Sequence, residues 1–238
     1  MKKSLPTLVT LLAGAVGAYA QGQIEFDDYA PHVPGDGFEI TVWAPQAANP
    51  IGEVYGNSPG DVPAGTQTYT GVALGGGDVG SGPNGYGNGN DYSIALYYGV
   101  GANATSLTQV PGAIATFDTS GGANPYNGYP GSWDAGGGVF VTVPGVAAGS
   151  TGTFQLYAWY NGGGTLSFAQ ASVPGSGDPY GLSQAANITL NGPPNIPSTL
   201  YPITSFSLAG GMIIPEPSTI ALGVIGASTL LMRLRLKQ

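Results

Sequence analysis

Carboxyl groups are the most abundant side chains in this sequence that could act in catalysis. Of the 13 Asp and Glu residues, all except Glu216 lie between Glu25 and Asp178. A glycosidase needs two carboxyl groups that face each other across a cleft. Glu25, Glu39 and Glu53 are candidates, but no pair is marked by its local sequence. An acidic glycosidase is therefore the third of three functional hypotheses.

Other catalytic side chains are scarce. The single histidine, His32, lies in the stretch YAPHVPGDG, which is typical of an exposed loop rather than of a Ser-His-Asp triad. The absence of Cys excludes thiol catalysis and thiolate zinc sites. No Lys or Arg occurs between Gln21 and Ile214, so this span lacks a phosphate clamp and its charge repels nucleic acid. We predict no catalytic residue, no metal site, no cofactor and no nucleic-acid partner.

Two stretches leave calcium binding open as an alternative. Residues 75–91 are rich in Gly, Asn and Asp, and Asp27-Asp28 is a pair of adjacent carboxylates. Calcium takes carboxylate and carbonyl oxygens as ligands. Gly and Asn also serve to allow positive φ in turns, so we favour plain loops at both places.

Three aromatic residues suggest a binding function. Trp43, Tyr157 and Trp159 fall on the face opposite the more apolar face of their predicted strands. Exposed rings on a sheet can stack on the apolar face of a sugar ring, which would make the protein a lectin-like carbohydrate-binding module. The alternative is that a second sheet or a loop covers these rings, because Trp is mostly buried.

Apolar residues alternate with period two along most of the body, which predicts β-strands. The clearest strands are DYSIALYY, GVFVTVP, GTFQLYAWY and GFEITVWA; weaker ones are QIEF, TQTYTG, AIATF and ITSFSL. No stretch of the body keeps a helical pattern for three turns, and LSQAANITL comes nearest. We predict an all-β domain over 21–210, an antiparallel β-sandwich of jelly-roll type. Its predicted core includes Ile40, Val42, Ile94, Leu96, Val141, Phe154 and Leu156.

The first 20 residues have the layout of a secretory signal peptide. Lys2 and Lys3 precede an apolar stretch, and Ala18 and Ala20 are the small residues that a signal peptidase requires. We therefore expect residues 1–20 to be a signal peptide, cleaved after Ala20.

The chain ends in PEPSTIALGVIGASTLLMRLRLKQ. Pro215-Glu216-Pro217 is followed by an apolar segment, predicted as a membrane helix over about 218–233, and then by the cations Arg233, Arg235 and Lys237. The apolar segment is short for a hydrocarbon core of ~30 Å. The positive-inside rule places the three cations in the cytoplasm, where they stop transfer. Residues 211–238 thus form a predicted sorting segment.

This order resembles the PEP-CTERM sorting signal, on the motif Pro215-Glu216-Pro217, the following Ser218-Thr219, the apolar helix and the terminal cations. The cations depart slightly from the pattern, being RLRLK rather than an unbroken arginine run. The resemblance implies a Gram-negative bacterium that makes extracellular polysaccharide, and processing near the motif by an exosortase-type enzyme. The protein would be anchored transiently in the inner membrane and then reach the cell surface or the extracellular matrix.

These observations favour an exported, non-catalytic protein of the cell surface or extracellular matrix. Its expected partners are signal peptidase, the exosortase-type enzyme and the membrane, with extracellular polysaccharide as a candidate ligand. The carbohydrate-binding module based on Trp43, Tyr157 and Trp159 is the alternative hypothesis.

Overall fold

A computed structural model describes residues 21–30, 37–38, 40–46, 48–71, 73–74, 91–117, 133 and 139–210. The predicted signal peptide with Ala18 and Ala20 lies outside the described residues. So does the predicted sorting segment, with Pro215, Glu216, Pro217, Arg233, Arg235 and Lys237. Within the described ranges, no helix combines the length and the hydropathy needed to cross a membrane.

The described chain is built almost entirely of β-strands. They are β1 (Gln21–Phe26), β2 (Tyr29–Ala30), β3 (Gly37–Phe38), β4 (Val42–Trp43), β5 (Tyr92–Val100), β6 (Thr108–Thr116), β7 (Val139–Ala147), β8 (Thr151–Tyr160), β9 (Tyr180–Leu182), β10 (Ala186–Thr189) and β11 (Phe206–Ser207). A single turn of helix, α1 (Phe168–Ala171), is the one helical element among the described residues. The all-β prediction is confirmed, except that the body was expected to contain no helix.

Five strands form the largest sheet. β5 and β8 are its two central strands and pair antiparallel over nine residues. β6 borders β5, and β9 and β10 pair with different parts of the far edge of β8. The register of β6 shifts beside β5 between Ala95 and Tyr97. Pro111 and Gly112, the latter with φ of 80°, lie in this bulged part of β6 and give an edge strand that is poorly suited to further pairing.

Three smaller sheets accompany the five-stranded one. β1 pairs antiparallel with β7, β2 pairs antiparallel with β3, and β4 pairs parallel with β11. β1, β4, β7 and β11 contribute side chains to the same buried cluster as the five-stranded sheet. The predicted core is confirmed, since Ile40, Val42, Ile94, Leu96, Val141, Phe154 and Leu156 are all buried in that cluster.

Two predicted strands differ in the structure, and one stretch with a weak helical pattern is extended. GFEITVWA was expected as one strand, but its described part holds only the two-residue strands β3 and β4. No strand forms in TQTYTG, where the backbone N–H groups of Thr70 and Gly71 donate to the Gln46 side chain instead of to a neighbouring strand. The weak helical pattern LSQAANITL is extended instead, and contains the end of β9 and all of β10.

Candidate functional site

The outer face of the five-stranded sheet, opposite the main core, carries most of the aromatic side chains of interest. Strand pairing places Ser93 between Thr116 and Trp159, and Ala95 between Ile114 and Tyr157. It also places Tyr97 between Gln109 and Gln155. Because directly paired residues point to the same face, these nine side chains form a three-by-three grid with the small Ala95 at its centre.

Four aromatic rings contact one another on this face. Tyr97 stacks on Tyr157 with 3.8 Å between ring centroids and 14° between ring planes. The Phe168 ring lies 4.7 Å from Tyr157 and packs edge-on against Trp159 at 5.9 Å. Phe168 therefore covers the rings of Tyr157 and Trp159 on the side away from the sheet. It belongs to α1 rather than to a strand. Tyr180 on β9 adds a further edge contact to Phe168 at 6.0 Å.

The segment that carries Phe168 follows β8 directly and folds back over the sheet; we call residues 161–178 the covering loop. Gly162, Gly163 and Gly164 all adopt positive φ, which only glycine does at little cost, so the chain can reverse here. Asn161 holds the turn in place. Its side chain donates to Ser93 Oγ at 3.0 Å and accepts from the Gly164 N–H at 2.8 Å.

The covering loop is also fixed at its middle. Trp159 Nε1 donates to the Leu166 carbonyl oxygen at 2.9 Å. Gln170 Oε1 accepts from the Ser167 backbone N–H at 2.9 Å and from Ser167 Oγ at 2.8 Å, which orders the start of α1. These hydrogen bonds hold the covering loop in a defined position over the sheet.

The structure separates the three predicted sugar-stacking residues. Trp159 is only 3% exposed and lies beneath the covering loop, so neither face of its ring is open to a ligand. Tyr157 is half-buried between Tyr97 and Phe168. Trp43 lies on β4 and stacks instead on Tyr69 at 4.8 Å. The ring contacts of the described residues do not join Trp43 to the other two, so a continuous strip of these three rings is not formed.

A groove lies between the covering loop and strands β5 and β6. Its volume is about 460 Å³. Aromatic and aliphatic atoms come from Tyr97, Trp159, Phe168, Leu166 and Ile114, and Ile114 is 50% exposed. The polar lining comes from Ser, Thr, Asn and Gln side chains. Sequence reasoning missed this groove, although the pattern Ser167-x-x-Gln170 after a glycine run is a recognisable helix-start signal.

The candidate carboxylates have structural partners where the structure describes them. Glu53 Oε1 accepts from the Leu182 N–H at 2.8 Å, and Glu53 Oε2 accepts from the Tyr55 hydroxyl. Glu25 is buried on β1. Glu39 and His32 lie outside the described residues, as do residues 75–90 of the possible calcium loop. Among the described residues, no three His, Asp or Glu side chains group closely enough to hold a metal ion.

Two half-buried tyrosines in the segment 53–71 have shifted pKa values. Burial raises the pKa of Tyr55 above its usual value, and the hydrogen bond to Glu53 adds to the shift. Burial also raises the pKa of Tyr69, with a smaller contribution from the charge of Asp61. The Tyr69 hydroxyl donates to the carbonyl oxygens of Gly56 and Ser205. The folded state therefore favours the protonated form of both side chains.

This preference predicts that the protein loses stability in alkali. Above about pH 10 the unfolded chain ionises its tyrosines, whereas the folded chain retains these two protons. The stabilisation is therefore complete below the unfolded pKa and is lost as the pH rises towards the folded values. We expect the urea midpoint to be lower at about pH 11 than at about pH 8, with the fall beginning near pH 10. The double variant Tyr55→Phe, Tyr69→Phe should show a smaller fall, and an equal fall in both proteins would contradict this assignment.

Comparisons with known proteins give no relative for this chain. Its sequence matches no protein-family model and no curated protein, and its fold matches no solved structure.

Proposed function

We propose that the chain is an exported, non-catalytic protein of the cell surface or extracellular matrix. The observation that carries this proposal is the order of the last residues: Pro215-Glu216-Pro217, then an apolar segment, then Arg233, Arg235 and Lys237. An extended, proline-stiffened triplet is accessible to an enzyme, and the apolar segment behind it can insert into a bilayer. The terminal cations resist translocation and hold the segment in that orientation.

The chemistry of the body supports a non-catalytic role. Every Lys and Arg lies in the first three or the last six residues, so the span between has no cation to polarise a substrate. Two of its described carboxylates, Glu53 and Asp61, accept several hydrogen bonds within the fold. Carboxylates that accept hydrogen bonds within the fold stabilise its loops and are not available to bind a ligand.

The proposed architecture of the body is a β-sandwich of jelly-roll type. It is supported by the shared core, in which Ile24 and Val141 of the β1–β7 pair lie in one cluster with Ile94, Leu96 and Leu156 of the five-stranded sheet. Two layers of strands that enclose one apolar core are the arrangement of a sandwich. Because the chain has no Cys, the stability of such a domain comes from its apolar core rather than from disulfides.

In the proposed pathway, signal peptidase removes residues 1–20 and the segment over about 218–233 anchors the protein transiently in the inner membrane of a Gram-negative cell. An exosortase-type enzyme then acts near Pro215-Glu216-Pro217 and releases the body to the surface. The span is marginal because Gly223, Gly226 and Ala227 lower its hydropathy. The free energy gained by burying such a segment in the bilayer is small, which suits an anchor that is meant to be temporary.

Replacing Pro215, Glu216 and Pro217 by alanine should abolish release while membrane insertion stays intact. The apolar segment and its cations are unchanged in this variant, so only the processing site is lost. Cell fractionation and intact-mass measurement, in a Gram-negative host with a working exosortase, would report both steps. The paired control Ser228→Ala, Thr229→Ala alters the segment but not the triplet and should be released normally. Normal release of the triplet variant would show that the triplet only stops a helix.

A further inference from the structure

We propose that the groove between the covering loop and strands β5 and β6 binds an uncharged saccharide. This inference goes beyond the sorting proposal, because it concerns a site in the folded body and holds whether or not the tail is processed. It also moves the binding residues away from Trp43 and Trp159, to Tyr97, Gln109, Ile114 and Gln170.

The dimensions of the groove suit a small ligand or a short stretch of a chain. Its volume of about 460 Å³ lies within the usual range for ligand pockets, roughly 300–1,000 Å³. One side is the sheet face at Ser93 and Tyr97, and the other is the covering loop from Gly164 to Gln170. The side-chain hydrogen bonds of Asn161 and Trp159 tie that loop to the sheet, so the groove is formed before any ligand arrives.

Apolar atoms supply the surface on which a sugar ring would lie. Tyr97 is backed by its stacking partner Tyr157 at 3.8 Å, which holds its ring in one orientation. Ile114 lies two grid positions from Tyr157 and is 50% exposed, so its aliphatic surface is open to the groove. Sugar rings present C–H groups on their faces, and these pack against flat or aliphatic surfaces of this kind.

Carboxamide groups supply the hydrogen bonds. The Gln109 side chain has no hydrogen-bond partner among the described residues, and it lines the groove next to its strand partner Tyr97. Gln170 uses Oε1 within the loop, and its amide nitrogen has no partner in the described part of the chain. A carboxamide can both donate and accept, as a sugar hydroxyl can. The two amides are therefore matched to a ligand that is rich in hydroxyl groups.

The absence of charge in the described lining selects a neutral ligand. None of the residues that line the groove is Asp, Glu, Lys, Arg or His. An anionic or cationic ligand would lose hydration on entry and find no opposite charge in return, which is costly. The net charge of −8 further disfavours anionic polymers. A neutral saccharide meets both the apolar surface and the amides without this penalty.

The test uses the purified full chain and a panel of polysaccharides, with retardation in affinity gels as the readout. The panel contains three neutral polymers, which are dextran, a glucan with cello-oligosaccharide segments, and galactomannan. Alginate is the acidic polymer. We expect retardation by at least one neutral polymer and none by alginate. Gln109→Leu and Ile114→Ala should each weaken that binding by about tenfold or more, which corresponds to one lost anchoring contact.

Two controls match the variants in chemistry but lie away from the groove. Gln184→Leu removes another exposed carboxamide, and Ile51→Ala shortens another exposed isoleucine, 58% exposed in the structure. Both should bind as the unmodified protein does. All four positions are exposed or half-exposed, so thermal unfolding should be nearly unchanged and a loss of binding would not reflect misfolding.

Several outcomes would overturn the proposal. They are no retardation by any neutral polymer, retardation by alginate alone, or unchanged binding in both Gln109→Leu and Ile114→Ala. A dimer in sedimentation that Ile114→Ala dissociates would assign the groove to a second copy of this chain instead. None of these results bears on release from the membrane, so this proposal and the sorting proposal can fail separately.

Discussion

Replacing Trp159 by alanine should lower the free energy of unfolding by about 3–5 kcal/mol. The ring is 3% exposed and belongs to the small cluster with Ala95 and Ala171, beneath Phe168. Its removal leaves a cavity between the sheet and the covering loop. It also removes the donor to the Leu166 carbonyl oxygen. Both losses fall on the segment that forms one wall of the groove.

Urea unfolding of the full chain, followed by circular dichroism, would measure this loss. Trp159→Phe keeps most of the ring but not the N–H donor, so its loss should be smaller, about 1–3 kcal/mol. Phe140→Ala is the aromatic control, because Phe140 on β7 is 53% exposed and its truncation should cost only about 0.5 kcal/mol. A Trp159→Ala protein as stable as the Phe140→Ala protein would mean that the covering loop does not pack on the ring.

Alternation along a strand was enough to predict the main core. Ile94 and Leu96 on β5, and Phe154 and Leu156 on β8, are buried on the same face of one sheet. Side chains in a strand point to opposite faces in turn, so a local pattern determines which residues share a face. The same pattern also correctly placed Tyr157 and Trp159 on the opposite face.

What covers that opposite face could not be read from alternation. Phe168 lies in a helix of four residues, which is too short to show a helical period. The reversal at Gly162, Gly163 and Gly164 returns the chain over Trp159, and its direction depends on the bond between Asn161 and Ser93. That bond joins residues 68 positions apart, so no local signal reports it. Sugar stacking would require an exposed Trp159 ring, whereas the ring is 3% exposed, as the alternative of a covering loop expects.

The pairing of β4 with β11 could not be predicted from the sequence pattern either. β4 pairs with β11, and the two strands have only two residues each. Their alignment is supported by side chains, since the Thr41 N–H donates to Ser205 Oγ at 2.7 Å across 164 positions. Short strands of this kind have too few residues to establish a period. The hydrogen bonds around Asp61 join three separate parts of the chain next to these strands.

Asp61 is the centre of that network and is the second position where a large loss is expected. Its carboxylate accepts from Thr41 Oγ1 at 2.6 Å, from Ser205 Oγ at 2.8 Å and from the Ser58 backbone N–H at 2.5 Å. The side chain is only 3% exposed. Three buried donors therefore depend on one acceptor group, and each donor left unpaired costs about 1–3 kcal/mol. The network fixes the 53–71 segment against β4 and β11.

Asp61→Ala should accordingly lower the free energy of unfolding by at least about 3 kcal/mol, measured by urea unfolding at neutral pH. Asp61→Asn keeps one acceptor oxygen but turns an amide N–H₂ group towards donors, so it should lose less than the alanine variant. Asp178→Ala is the matched control, because that carboxylate accepts no hydrogen bond from a described residue and its loss should cost about 0.5 kcal/mol or less. Combining Asp61→Ala with Ser205→Ala should cost less than the sum of the two single losses, because the second change removes one of the donors that the first leaves unpaired. Strict additivity, or an Asp61→Ala protein as stable as the control, would mean that water satisfies these donors and that Asp61 does not hold the segment in place.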